Sequence, residues 1–228
     1  MSQVTPLNLG TLTTYRSVAL GAMLEFGVDP LNVGGALATG GRYNIPKDLP
    51  DAFGVLYLAE HLAVAHAEVR GLNAQGGPGG VNITPPGPAA PRLDVCITAT
   101  LTRVLDLTDP AVLATLGVTQ ADLTCIWVDL NGEDQVAPTQ ALALAALRSN
   151  RFDSVRYEST QYPGGVNYAV FPDHVHPSCN VHDPGGHVAA FARLVAQERQ
   201  RAASATYIIL QSGKLSRFRK FRRWRIKK

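Results

Sequence analysis

Cysteine is scarce in this chain. The 228 residues hold three, Cys96, Cys125 and Cys179, far apart and odd in number, which speaks against a disulfide framework and makes reduced thiols in a cytoplasm the simpler reading. Long hydrophobic runs are missing as well. No stretch of eighteen apolar residues occurs, and the N-terminal MSQVTPLNLG has no basic region leading into an apolar one, so neither a membrane span nor a standard secretion signal is expected. The familiar chemical signatures are also absent: there is no GxxxxGK[ST] phosphate loop, no GxGxxG opening a helix, no HExxH and no GxSxG. The usual nucleotide-loop, zinc-protease and serine-hydrolase readings lose their support.

Acid is absent from one region in particular. All nine basic residues between Lys214 and Lys228 lie in a stretch without a single carboxylate, so the formal +3 of the whole chain conceals 12 basic and 18 acidic residues in positions 1–213, a balance of −6. The chain reads as an acidic globule with a basic tail. At 46% apolar and 17% charged residues, the globule has material for a hydrophobic core, which excludes a mostly disordered chain.

Along the chain, Leu12 to Val18 reads as a strand on its β-branched and aromatic content. Four glycines between Gly34 and Gly41 are expected to interrupt any regular element and deliver a loop carrying Arg42, with Pro46 favouring extended backbone. Gly54 to Ala59 fits a buried strand, and Glu60 to about Arg70 fits a helix stopped by Gly71. Residues 73–91, rich in proline and glycine, are expected to form a mobile surface loop. Leu93 to Leu107 alternates as one strand with a buried face. Asp109-Pro110 reads as an N-cap and first helical residue for a helix to about Leu116, and a second helix is expected from about Pro138 to Ser149. Phe152–Tyr157 and Asn167–Phe171 read as two strands. Strands and helices without a regular βαβ rhythm predict an α+β fold.

Polar residues placed at the ends of these apolar elements are the candidates for chemistry: Arg16, Arg42, Tyr57, Glu68, Ser159 and Asn167. Singly, each has an ordinary structural reading, as a surface arginine, a core aromatic, a solvated glutamate or a strand-to-turn serine. As a set they form a pattern. Tyr15-Arg16, Gly40-Gly41-Arg42-Tyr43-Asn44, Leu56-Tyr57-Leu58-Ala59, Glu68-Val69, Arg151-Phe152-Asp153, Tyr157-Glu158-Ser159, Gly164-Gly165-Val166-Asn167 and Ala169-Val170-Phe171 occur in the order of the RES-domain family, which this chain resembles over about two-thirds of its length. That family is named for an arginine, a glutamate and a serine, here Arg42, Glu68 and Ser159.

The resemblance implies an ADP-ribosyltransferase-like fold, a split mixed sheet with flanking helices around an NAD cleft. It implies residues 1–185 as the RES domain; beyond the resemblance, 186–213 reads as a C-terminal helix from about Gly186 to Ala203 and an apolar Tyr207–Leu210 segment, and 214–228 as the basic tail. It also implies a toxin of a toxin–antitoxin pair that consumes NAD by phosphorolysis, hydrolysis or ADP-ribosyl transfer. Its partner would be a cognate Xre-type antitoxin, and the assembly a homo-oligomer of the chain or a toxin–antitoxin hetero-oligomer. NAD would be a substrate rather than a cofactor, with phosphate a candidate co-substrate. The catalytic set would be Arg42, Glu68 and Ser159, and NAD would be bound by Arg16, Arg42, Tyr43, Tyr57 and Asn167.

The chemistry of these residues suits that substrate. Arginine forks give bidentate, charge-assisted hydrogen bonds to phosphate oxygens, and a glutamate can stabilise the oxocarbenium-like state formed as a bond from ribose to a base breaks. Tyrosine can stack or hydrogen-bond, and serine and asparagine can orient hydroxyls.

Two further features stand outside the pattern. His174, His176, Cys179, His182 and His187 crowd together without a repeated CxxC or HxxxH spacing, and read as a surface loop rather than a zinc site. The tail interleaves Phe218, Phe221 and Trp224 with its basic residues, the composition of a nucleic-acid or membrane-surface binder. It supplies a competing reading in which the globule is only a scaffold.

Overall fold

The computed structural model describes residues 1–26, 29–71, 92–172, 179–182 and 186–211. The chain divides into two compact units, Met1–Pro184 and Gly185–Lys228. In chain order the first unit contains β1 (Gly10–Ala19), α1 (Leu20–Phe26), α2 (Gly34–Thr39), β2 (Leu56–Ala59), α3 (Leu62–Gly71), β3 (Arg92–Leu101) and β4 (Val104–Asp106). It continues with α4 (Pro110–Leu116), α5 (Gln120–Leu123), α6 (Trp127–Gly132), α7 (Pro138–Arg148), β5 (Ser154–Glu158), β6 (Val166–Val170) and β7 (Cys179–His182).

The strands form one seven-stranded sheet in the order β4-β5-β6-β2-β1-β3-β7. β4 and β5 run parallel and the remaining neighbours antiparallel, the mixed α+β arrangement expected from the sequence. The weak line lies in the middle. β1 and β3 are paired continuously from Gly10↔Leu101 to Ala19↔Arg92, whereas β1 and β2 meet at the single pair Tyr15↔Ala59. Since β2 is only four residues long, β1 runs past its end and the sheet is all but split in two.

One rung crosses this seam: Tyr15 opposite Ala59, Ala59 opposite Asn167, and Asn167 opposite Tyr157. Cross-strand partners share a face and neighbours along a strand alternate. The same face therefore carries Tyr57, Ala169 and Val155 on the next rung but one. The small residues on this face let helices come close. Helix α3 lays Val64 and Ala65 against Ala59 and Tyr15. Helix α7 starts on Pro138, where the missing N–H costs nothing, and buries Thr139, Gln140, Ala143 and Ala146 as one stripe. Its two alanines join a core of Tyr43, Val55, Phe152, Val155, Tyr157, Ala169 and Phe171.

Three local expectations are corrected. The segment 93–107 is two strands, β3 and β4, because the N–H groups of Thr102 and Arg103 turn to the buried carboxylate of Asp153, at 3.0 and 2.9 Å. The glycine-rich stretch is not irregular: α2 occupies Gly34–Thr39. Asn32 Oδ1 accepts from the Gly34 N–H at 2.6 Å, an Asx-type start that offsets the poor helix propensity of glycine. The histidine-rich region is not simply a loop, since Cys179–His182 pair as β7 with β3, from Cys96↔His182 to Ala99↔Cys179. His174 and His176 lie outside the described residues, as does the proline- and glycine-rich segment. Among the described residues no group of three or more His, Cys, Asp or Glu is placed to hold a metal.

The second unit contains α8 (His187–Gln211). The apolar Tyr207–Leu210 stretch, expected to follow a helix ending near Ala203, continues that helix without a break. The basic tail lies outside the described residues. Among the described residues no helix is long and apolar enough to cross a membrane.

The core tyrosines give a pH test. Tyr43 and Tyr157 are buried, their rings 4.2 Å apart and tilted by 41°, and burial pushes the phenols of both, and of Tyr57, well above the ordinary tyrosine range. A raised native pKa means that above about pH 10 the unfolded chain loses protons that the native chain keeps. Stability is thus full below about pH 10 and falls as pH rises beyond it. Tyrosinate absorbance of the folded protein near pH 11 should leave these three of the seven tyrosines silent, while denaturant midpoints fall over the same interval. Titration of all seven near pH 10 in the folded state contradicts this.

Candidate functional site

Arg42 stands at the tip of a tight turn. The N–H of Gly41 donates to Asn44 O and the N–H of Asn44 donates to Gly41 O, both at 3.3 Å, leaving Arg42 and Tyr43 as the two tip residues. Position 41 accepts only glycine: a Cβ there would stand 2.5 Å from Tyr57 Oη and 2.7 Å from Asn44 Oδ1. Tyr43 is drawn into the core, while Arg42 stays half-buried. Its NH1 donates to the carbonyls of Leu123 at 2.7 Å and Cys125 at 3.2 Å. A guanidinium has five N–H donors. Those on Nε and NH2 have no protein partner among the described residues.

Tyr57 holds this turn from β2. Its hydroxyl accepts from the Tyr43 N–H and donates to Asn44 Oδ1, each at 2.9 Å. Asn44 Nδ2 in turn donates to Ala36 O at 2.8 Å. The phenol, its pKa raised first by burial, is a neutral donor committed to the protein. Tyr57 therefore shapes the turn that presents Arg42.

Glu68, in the second turn of α3, meets Ser159, just after β5, and Asn167 of β6. Ser159 Oγ accepts from the backbone N–H of Gln161 at 3.1 Å and of Tyr162 at 2.9 Å. With both lone pairs so used, the hydroxyl proton is left for Glu68 Oε1 at 2.7 Å. Asn167 Nδ2 donates to the same oxygen, also at 2.7 Å. Oε2 has no protein partner among the described residues. The hairpin between β5 and β6 presses closely on α3, for a Cβ at Gly165 would lie 2.7 Å from Val64 Cγ2.

The two charges act on the same tyrosines. Beyond the dominant effect of burial, Arg42 favours and Glu68 opposes ionisation of Tyr43, Tyr57 and Tyr157, so a cation and an anion both act on one neutral phenolic cluster. Arg16 has a different setting. It lies on β1 beside Tyr15 and so on the opposite face of the sheet, where NH1 donates to Pro30 O at 2.5 Å and NH2 to Asn32 O at 3.2 Å. It braces the start of α2. At the seam, a cleft of about 340 Å³ opens between Leu12, Thr13, Tyr15, Glu60, His61 and Tyr168, where β1 overruns β2.

Of the residues singled out from the sequence, the structure joins Glu68, Ser159 and Asn167 by direct hydrogen bonds, and ties Arg42, Tyr43 and Tyr57 into one turn. Sequence reasoning missed Asn44, Tyr157 and Gln140. Asn44 and Tyr157 stood inside the motifs without a role assigned. Gln140 had only the signal of being a polar residue in an alanine- and leucine-rich helix.

The pattern has relatives. A family model described as the RES domain matches residues 23–203, from within α1 to within α8, and so leaves out β1. No curated protein matches the chain. Among solved structures, a chain of the crystal structure of the M. tuberculosis MbcT–MbcA toxin–antitoxin complex is similar, with 22% identity and a TM-score of 0.56. The match covers 78% of this chain and 84% of that one, a likeness of fold. With the arginine turn, the glutamate and the serine in one unit and the family model matched across it, the chain belongs to the RES-domain family.

Proposed function

We propose that this protein is the toxin of a bacterial toxin–antitoxin pair and degrades NAD by cleaving the nicotinamide–ribose bond, with phosphate or water as acceptor. The observation that carries this reading is the fixing of one Glu68 oxygen by Ser159 and Asn167, at 2.7 Å each, while the other oxygen has no protein partner among the described residues. A carboxylate held at one oxygen can offer the other to a ribose hydroxyl and to the positive charge that develops on the ring. The C–N bond to nicotinamide breaks with its electron pair going to the leaving ring nitrogen. Nicotinamide departs as a neutral base and requires no acid. The acceptor oxygen then bonds to the anomeric carbon: an anionic phosphate oxygen with no proton to lose, or water, which releases one proton to solvent.

Arg42 serves the diphosphate, through the Nε and NH2 donors that its carbonyl partners do not use. Ser159 is a positioning group in this reading and not a nucleophile, because its proton goes to Glu68 and backbone N–H groups occupy its lone pairs. An antitoxin partner, Xre-type by the family pattern, is supported by the likeness to a chain of the MbcT–MbcA complex.

Incubation with NAD, with and without phosphate, and mass analysis of the products tests the reaction. ADP-ribose-1″-phosphate indicates phosphorolysis, free ADP-ribose hydrolysis, and mass added to a protein indicates ADP-ribosyl transfer. Glu68→Gln and Arg42→Ala should each lower kcat/KM for NAD cleavage by about 10²–10³-fold without loss of fold, the first through kcat and the second through KM. Full activity in either folded variant sinks the assignment.

Ser159→Ala removes one hydrogen bond to a charged group, worth about 1.5–3 kcal/mol, and should slow cleavage by roughly ten- to a hundredfold. A loss as deep as that of Glu68→Gln, together with a covalent adduct on Ser159 in the wild type, would make the serine a nucleophile instead.

A further inference from the structure

Gln140 is fully buried, and its carboxamide has more to do than any core position requires. Ala143 and Ala146, the next residues on the same stripe of α7, are apolar, and an apolar side chain at 140 would fit that stripe without the desolvation cost of an amide. Its partners account for it. Gln140 Nε2 donates to Asn131 Oδ1 at 2.8 Å, and Asn131 Nδ2 donates back to Gln140 Oε1 at 2.9 Å, so the two amides lock face to face. Oε1 also accepts from the Ala137 N–H at 3.0 Å. The second Nε2 hydrogen is then shared between Gly41 O at 2.9 Å and Asn44 O at 3.0 Å. Those two carbonyls are the ends of the turn whose tip is Arg42.

The same stretch of chain holds the side chain of that arginine. Leu123 O and Cys125 O, which receive Arg42 NH1, come just before α6, and α6 carries Asn131. Residues 123–140 thus grip the turn twice, at its backbone through Gln140 and at its guanidinium through two carbonyls. A glutamate at 140 would face both turn carbonyls without a hydrogen to give, and a lysine could not form the reciprocal pair with Asn131.

We propose that Gln140 is a positioning residue for Arg42: its carboxamide, fixed by Asn131, sets the Gly41–Asn44 turn and so the direction in which the guanidinium meets the substrate's phosphates. This rests on the reading of Arg42 as the diphosphate group. A grip on the phosphates acts on bound substrate and transition state alike, so its loss raises KM and spares kcat.

The test uses the full chain with Gln140→Met, Asn131→Ala, Arg42→Ala and the Gln140→Met/Arg42→Ala double variant. In NAD cleavage, Gln140→Met should raise KM about tenfold or more while kcat stays within a few-fold, Asn131→Ala should move KM the same way by less, and the double variant should be no worse than Arg42→Ala alone. A KM unchanged in Gln140→Met, or effects of Gln140→Met and Arg42→Ala that multiply, overturns the proposal. Amide hydrogen exchange at Tyr43 and Asn44 is the second readout and needs no activity: it should quicken about tenfold or more in Gln140→Met, with the core strands still protected. Unchanged exchange there overturns the proposal even if NAD is cleaved. Should Gln140→Met fail to fold, Asn131→Ala is read by the same two measures, and unaltered KM and exchange in that variant count against it. A wild type that consumes no NAD defeats the functional reading alone, and exchange then decides the positioning role.

Discussion

The fold depends on how its two half-sheets are joined, and backbone pairing does little of that work. One pair, Tyr15↔Ala59, links β1 to β2. What closes the seam is α3, which rests Val64 and Ala65 on a residue from each side of it, Tyr15 and Ala59. From the same helix, Glu68 reaches Asn167 and Ser159 on the β6 side. The glutamate is thus a structural tie as well as the candidate catalytic group. A sheet paired along its whole length would have no need of such a tie, and Glu68, Ser159 and Asn167 come together beside the seam.

The second constraint is electrostatic. Arg42 and Glu68 both act on Tyr43, Tyr57 and Tyr157, yet no ion pair between the two is among those described. A direct pair would satisfy both groups and leave neither for a ligand. Both charges act on the same neutral phenols, and neither is spent on the other in an ion pair among the described residues. Burial, by pushing the phenols well above their ordinary range, ensures that they stay neutral at any ordinary pH.

What was legible in the sequence was local or carried by motif. Asp109-Pro110 was readable as a helix start because cap and first turn are adjacent, and the cap is seen in the hydrogen bond from the Ala111 N–H to Asp109 Oδ1 at 2.8 Å. The start of α7 at Pro138 was readable from the alanine- and leucine-rich run that follows it. Glu68, Ser159 and Asn167 emerged from motif order, and the structure brings them together. The misses depended on partners distant in sequence. The break between β3 and β4 is made by Asp153, some fifty residues on. The helix at Gly34–Thr39 begins at Asn32, whose carbonyl Arg16 holds from β1. β7 is a strand only because β3 offers it an edge. Gln140 acts on a turn 96 to 99 residues earlier. Periodicity carries no record of contacts made at such separations.

Charge counting gives its clearest lesson at the arginines. Positions 1–213 carry a balance of −6, so general attraction cannot bring an anionic substrate to the site, and single cations must do so. Both candidate arginines are held by backbone carbonyls: Arg16 by Pro30 and Asn32, Arg42 by Leu123 and Cys125. A neutral carbonyl orients a guanidinium without neutralising it, so a phosphate arriving at Arg42 would meet a fixed, fully charged fork and displace no carboxylate. Preorganisation of this kind reduces the cost of binding. It also puts the burden on whatever holds the carbonyls and the turn in place. In this chain that burden falls on an amide pair within helices whose composition, alanine and leucine above all, would otherwise suggest packing alone.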